Sequence, residues 1–343
     1  MRIDTLGTLI WATYLGGSKA EEILDIDSDE YGDVYITGYS NSSDFPVEGS
    51  VIQDTLNKGQ DIVALRLDST GDIVWSTYFG GSGDEAGVGI AIDKNRAAFI
   101  TGYTRSLDMR IFGKDTLQEA YGGGRNDAFV LCINRLGKGR FSTYYGGAGN
   151  DSATSIDWYL RAVVIAGNTN TSFLHGTETG VQKKKRAGYD GFTLNLDSNA
   201  RFLGASYLGG NGIDFLSDAM FYYGGQAFTG HSQSTDFHTL DANQDKNAGL
   251  IDGTVTTLCP DIFKRIHYEI CTPTGRLPEI FADEFYGDYS IKYKWQWRTK
   301  FAWKDVPNSD TSHLKGMTIS QRTFFRRIYT AGMCTDTTTE PIS

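Results

Sequence analysis

The sequence predicts an all-β fold: a β-propeller of four-stranded antiparallel blades, about four to five of them, with a divergent C-terminal segment. Three observations predict it. A Tyr-x-Gly-Gly unit returns at Tyr14, Tyr78, Tyr144 and Tyr207, in steps of 64, 66 and 63 residues. Each period holds the same four short apolar segments. The chain also has 41 glycines, only six prolines and 13% aromatic residues, which suits many strands joined by tight turns.

The second repeat shows the plan most clearly. Val88-Gly-Ile-Ala-Ile-Asp93 reads as a buried first strand, and Lys94-Asn-Arg96 as a turn. Ala97-Ala-Phe-Ile-Thr-Gly-Tyr103 follows as a second strand. A long polar segment, 104–126, precedes a third strand, Asp127-Ala-Phe-Val-Leu-Cys-Ile133. Asn134-Arg-Leu-Gly137 is turn chemistry, and Arg140-Phe-Ser-Thr-Tyr-Tyr145 is a fourth strand closed by Gly146-Gly147. The glycine ending the second strand recurs at Gly38, Gly102, Gly167 and Gly230.

Arg2-Ile-Asp-Thr-Leu-Gly7 matches the end of a third strand, so the pattern begins inside a blade. That phase suggests ring closure, the first strands completing the last blade; a fragment of a longer propeller is the rival reading. A single four-stranded sheet cannot bury both faces, so blades must stack. Small residues in the first strand, Gly89 and Ala91, suit a crowded centre. The aromatic fourth-strand motifs at 11–17, 75–81, 141–147 and 204–210 suit packing between blades.

The repeats occupy residues 1–258. Residues 259–343 lack the Tyr-x-Gly-Gly unit and read as a last blade, ring closure or a small appended β segment. Ile291-Lys-Tyr-Lys-Trp-Gln-Trp-Arg298 alternates in period two and is expected to be an edge strand. Phe324-Phe-Arg-Arg-Ile328 fits a strand or a helical turn, and residues 335–343 a frayed end.

Charge is uneven. Residues 1–260 hold 20 basic and 32 acidic residues, net −12; residues 261–343 hold 12 and 10, net +2. The acidic body argues against nucleic acid as partner. No apolar run reaches the roughly 20 residues of a membrane helix, and residues 1–20 lack the pattern of a signal peptide. The cysteines Cys132, Cys259, Cys271 and Cys334 form no CxxC pair, which argues against zinc; Cys259 and Cys271 suit a disulfide in an oxidising compartment.

Four runs carry a family resemblance: STYFGGSGDEAGVGIAID (76–93), FITGYT (99–104), SSDFP (42–46) and DIVALRLDSTGDIVWSTYFGG (61–81). They resemble the bacterial SBBP repeat, named for seven-bladed β-propellers, over roughly residues 1–258. The resemblance implies an extracellular or cell-surface propeller and transfers no catalytic residue. Repeat three departs most. Ser155-Ile-Asp-Trp158 replaces its small-residue strand, and Phe173 stands where Asp44, Asp108 and Asp236 stand.

Strand direction alternates within a blade, so the second-to-third loops and the blade connectors emerge at one end. That end collects residues 40–60, 104–126, 169–189 and 232–247, and long loops on a rigid scaffold are where binding usually lies. One acid falls five positions after the first connector glycine in every repeat: Glu21, Glu85, Asp151 and Asp214. With Asp44, Asp108 and Asp236, these are the candidate binding residues, as a carboxylate ring for a cation such as calcium, a sugar or a basic partner. The competing reading gives each acid to the backbone N–H groups of its own glycine loop. Asp25-Ile-Asp-Ser-Asp-Glu-Tyr-Gly32 lacks the late glutamate of a calcium loop and reads as a hairpin turn. Lys183-Lys-Lys-Arg186 reads as a solvated loop, and His231 and His238 as surface or structural residues.

The expectation is therefore a non-catalytic binding, adhesion or structural scaffold of a bacterial surface or secreted protein. Its partner would be a protein or a glycan, or the rest of a larger multidomain chain, and no cofactor is required. The alternative is a propeller-type lyase or hydrolase using carboxylates and a histidine near the channel mouth.

Overall fold

The computed structural model describes residues 1–258, apart from 115, 160, 223–224, 238–243 and 245; beyond 258 it describes strand segments only. Contacts divide the chain into two units. The first is Met1–Phe221 with Ala227–Thr256, and the second is Tyr222–Gln226 with Thr257–Ser343.

The first unit is built of antiparallel β-propeller blades. A two-stranded hairpin, β1 (Arg2–Ile3) and β2 (Leu9–Trp11), comes first. Blade one holds β3 (Glu21–Ser28), β4 (Val34–Ser40), β5 (Asp61–Leu67) and β6 (Ile73–Phe79) in spatial order. Blade two repeats this with β7 (Glu85–Ile92), β8 (Ala98–Thr104), β9 (Asp127–Ile133) and β10 (Gly139–Tyr145). Blade three uses β11 (Asp151–Tyr159), β12 (Ala162–Thr169), β13 (Asp190–Asp197) and β14 (Phe202–Leu208). A three-stranded sheet follows: β15 (Asp214–Tyr222), β16 (Gly225–Ser232) and β17 (Asp252–Leu258). Among the described residues β1 pairs only with β2, so the ring closure expected from the sequence phase is not seen there.

The core lies between sheets, in layers. Ile62, Trp75 and Phe79 of blade one pack with Ile90, Ile100, Phe129 and Tyr144 of blade two. The opposite face of blade two, with Phe99, Val130 and Tyr145, meets Ile156, Phe192 and Tyr207 of blade three. Each such side chain contributes roughly 1.5–3 kcal/mol by leaving water, which is why one blade cannot stand alone.

Inner strands touch edge to edge, and their free N–H groups need acceptors. Blade one supplies carboxylates. Ile90 N–H donates to Asp25 and Ile92 N–H to Asp27, both at 2.8 Å. Phe221 N–H donates to Asp157 at 2.7 Å in the same way. Asp25 and Asp27 therefore belong to a strand, and only Asp29 to Gly32 form the turn, a correction to the hairpin-turn reading of that acidic run. Blade two uses the small-residue solution instead: a Cβ at Gly89 would lie 3.1 Å from Ile156 Cγ2 and 3.2 Å from its backbone nitrogen. At the short-turn end, Arg96 of blade two binds Asp29 and Asp33 of blade one.

The recurring second-strand glycine has a mechanical cause. Register shifts at Ile23/Asp25, Gly87/Gly89 and Ala153/Ser155 mark a bulge in each inner strand. The bulge pushes a carbonyl onto the second strand. A Cβ at Gly38 would lie 1.9 Å from Glu22 O, and one at Gly102 lies equally close to Ala86 O.

The second unit contains a four-stranded sheet in which β18 (Lys292–Arg298) pairs with β19 (Lys304–Asp305) on one side and β20 (Phe324–Ala331) on the other. The alternating aromatic strand is thus internal to a sheet rather than at its edge. The Phe324 segment is a strand, and β21 (Cys334–Thr337) takes up part of the expected frayed end. Cys259 and Cys271 lie outside the described residues.

Gly102→Ala is expected to destabilise the chain by about 1–3 kcal/mol through overpacking. Gly204→Ala, where an added Cβ meets nothing within 4 Å, should be nearly neutral. Thermal unfolding of the two variants side by side checks the bulge argument.

Candidate functional site

The blade connectors and the described parts of the long loops lie at one end of the first unit, pinned by a recurring set of hydrogen bonds. The second connector glycine donates its N–H to the acid four residues on: Gly17 to Glu21 at 3.1 Å, Gly81 to Glu85 at 2.8 Å, Gly147 to Asp151 at 2.8 Å and Gly210 to Asp214 at 2.6 Å. Hydroxyls from the second strand and the following loop approach the same carboxylates. Thr104 and Ser106 donate to Glu85 at 2.9 and 2.6 Å, and Thr169 and Thr171 donate to Asp151. Glu85, Asp151 and Asp214 are buried. Burial raises the carboxyls of Glu85 and Asp151 above their ordinary range.

Three loop acids complete the pattern. Asp44 accepts from Ser18 N–H at 2.8 Å, Asp108 from Ser82 N–H at 2.8 Å and Asp236 from Asn211 N–H at 2.6 Å. Those backbone bonds hold the carboxyls of Asp44 and Asp108 below their usual range. Each of the seven acids singled out as a ligand-binding set thus accepts a connector N–H. These bonds supply the local role that the competing reading gave to the acids, because a tight glycine connector leaves backbone donors without strand partners.

The sequence concealed a second pinning device. Tyr78, Tyr144 and Tyr207 are buried, and their hydroxyls bridge the long loop of the same blade. Each accepts an N–H, from Phe45 at 3.0 Å, Met109 at 2.9 Å and Leu174 at 2.8 Å. Each also donates to a loop carbonyl, of Ser42, Ser106 and Thr171. A repeated tyrosine where phenylalanine would pack equally well was the available signal. Tyr14 is fully exposed because, among the described residues, no long loop lies against it. Further loop bonds, such as Tyr78 N–H to Gln53 O at 3.1 Å, cover the outer strand edge.

A third recurring group pairs carboxylates across each blade junction. Asp61, Asp127 and Asp190 open the third strands and are buried. One oxygen of each, Oδ2, takes N–H donors, whereas Oδ1 has no donor. The connector acid of the next blade stands beside that oxygen: a Cβ at Gly80 would lie 2.4 Å from Asp61 Oδ1 and 2.5 Å from Glu85 Oε2. Gly146 stands likewise between Asp127 and Asp151, and Gly209 between Asp190 and Asp214. Burial, with the facing acid adding to it, pushes Asp61 up to about 6 and Asp127 up to about 7.

Repeat three breaks the pattern at one place. Phe173 replaces the loop aspartate and is 69% exposed, and Ala148 replaces the serine or asparagine of the connector. Ala148 N–H has no acceptor among the described residues, whereas Ser18, Ser82 and Asn211 each have one. A cleft of about 650 Å³ opens here, lined by Gln118, Ala148, Asn170, Ser172, Phe173 and His175 among others. Of the histidines, His175 packs edge-on against Phe202 and His231 lies tilted against Phe215; His238 lies outside the described residues. Among the described residues no group of three or more His, Cys, Asp or Glu could hold a metal ion.

Two segments with this geometry, residues 10–46 and 74–107, match the SBBP beta-propeller repeat. The chain carries SBBP repeats. The matched segments run from the fourth strand through the connector and into the next second strand, so the SBBP unit includes the acid clamp. The chain is also similar to the Regulatory protein FlaEY of Caulobacter vibrioides, 23% identical over 195 residues. That stretch is 56% of this chain and 17% of the other, so the chain spans a small part of that protein's length. No described helix is long and apolar enough to cross a membrane.

The paired carboxylates give a pH dependence with a defined sign. An unfolded aspartate titrates near about 3.9; in the fold, Asp61 and Asp127 hold their protons to higher pH. Their contribution is full below about pH 4 and is lost as pH rises through about 6 to 7. Tyr121 and Tyr144 beside Asp127 are pushed up to about 12 and stay neutral throughout. Lys185 faces Asp190 and opposes the rise there. The melting temperature should therefore fall between pH 5 and pH 8, and Asp127→Asn, which mimics the protonated acid, should flatten that slope. A wild-type profile that rises over this interval contradicts the assignment.

Proposed function

We propose that the first unit is a non-catalytic binding scaffold of a bacterial surface or secreted protein and that its loop-bearing end makes the contact. The observation that supports this most is the pinning of that end. Buried tyrosine hydroxyls and connector acids hold the long loops against the blade ends. A surface held in this way binds without first ordering its loops, which saves the conformational cost of association. Among the described residues the opposite end carries short turns such as Asp93–Arg96 and Asn134–Gly137.

The location of the repeat break supports the same reading. A clamp that serves only the blade has no reason to be lost in one repeat, and its loss at Phe173 coincides with the cleft. The similar protein's name, a regulatory protein, accords with action through binding rather than turnover. An extracellular or cell-surface setting, which the family resemblance implies, forms part of the proposal.

The test uses two exposed leucines at opposite ends. Leu107 lies in the long loop of blade two and Leu136 in its short turn. The full chain is screened against glycans and purified bacterial surface proteins. The double variant Leu107→Arg, Ser172→Arg should lose about tenfold or more in affinity for any partner found. Leu136→Arg should bind as the parent does. Loss confined to Leu136→Arg would place the contact at the wrong end and sink the proposal.

A further inference from the structure

We propose that the cleft of repeat three is a subsite for a neutral pyranose sugar, with Phe173 as the stacking platform and Ala148 N–H as a hydrogen-bond donor to a ring hydroxyl. The inference deepens the binding reading above and rests on it.

Three independent features point to a sugar. First, the cleft pairs an aromatic face with polar groups. Phe173 is exposed beside Ala148 N–H, which lacks a protein acceptor. A pyranose has the matching shape, an apolar C–H face edged by hydroxyls that both donate and accept. Second, the polar groups are neutral and short of partners. Asn170 uses its carbonyl oxygen to accept from Asn150 N–H at 2.6 Å, and no protein acceptor takes its amide nitrogen. The Ser172 hydroxyl likewise makes no protein hydrogen bond among the described residues. No Asp, Glu, Lys or Arg lines the cleft and His175 is the one titratable side chain in its lining, so the lining suits a neutral ligand better than a charged one. Third, the volume of about 650 Å³ falls within the range of small-molecule sites, about 300–1,000 Å³.

The floor of the cleft is rigid. Gly149 N–H donates to Thr171 at 2.9 Å and Gly147 N–H to Asp151 at 2.8 Å, so the connector keeps its shape with one donor left over. The other repeats show what fills the same place when no ligand is wanted. An aspartate at the position of Phe173 caps the connector N–H at 2.6–2.8 Å.

That comparison supplies the test. Phe173→Asp restores the residue of the sibling repeats and should retain or raise the melting temperature while removing both platform and donor. Binding is read on the full chain by saturation-transfer NMR and calorimetry, with methyl glycosides of glucose, galactose, mannose and N-acetylglucosamine; methyl glucuronide is the charged control. At least one neutral glycoside should bind, with an affinity reduced about tenfold or more in Phe173→Asp and retained in Phe173→Trp. Neutral glycoside binding that Phe173→Asp leaves unchanged overturns this subsite but leaves the scaffold reading intact. Binding of the glucuronide alone, or of none of the glycosides, also overturns it. The scaffold reading falls separately, by the Leu107 and Leu136 variants.

Discussion

Everything at the loop-bearing end of the first unit depends on one interaction: a connector carboxylate accepting the N–H of a glycine four residues earlier. A connector that turns between blades in so few residues leaves several backbone donors without a strand partner. Glu85 satisfies one of them at Gly81, then draws in Thr104 and Ser106, which fixes the start of the long loop. The loop in turn returns Asp108 to Ser82 and hands its backbone to the Tyr144 hydroxyl. Blade, connector and loop are thereby one mechanical piece, repeated around the first unit.

The architecture has a direct electrostatic consequence. Tight connectors bring the connector acid of one blade beside the third-strand aspartate of the previous blade, with only a glycine between them. A side chain at Gly80 would force Asp61 and Glu85 apart. The repeat therefore keeps a like-charged pair in a buried place, where a proton is cheaper than a second charge. Catalytic sites often show such perturbed carboxyls, but here the same pair recurs at every described junction, and recurrence marks it as part of the fold.

Most of the fold was legible because the repeat printed it four times. Strand order, connector position and the loop-bearing end follow from period and direction alone. The acid ring was legible in position and not in role: Glu21, Glu85, Asp151 and Asp214 recur for the sake of the connector, and sequence cannot show which donors fill their oxygens. The second-strand glycines were visible without a cause, since a bulge depends on inter-strand register. Asp25 and Asp27 were misassigned to a turn because their partners, Ile90 and Ile92 N–H, lie a whole blade away. Repeat three ran the other way. Its departure at Phe173 was visible in the sequence, and its meaning appeared only when Ala148 proved to be the one connector of four without a loop acid on its N–H.

A loop-acid clamp present in repeats one, two and four is absent from repeat three, which leaves a free donor on a rigid floor. Amide hydrogen exchange of the full chain tests it most directly. Ser18, Ser82 and Asn211 should be protected, Gly147 and Gly149 should be protected with them, and Ala148 alone should exchange rapidly. Equal protection of Ala148 and its three counterparts would contradict the claim, as would rapid exchange across the whole 146–150 connector.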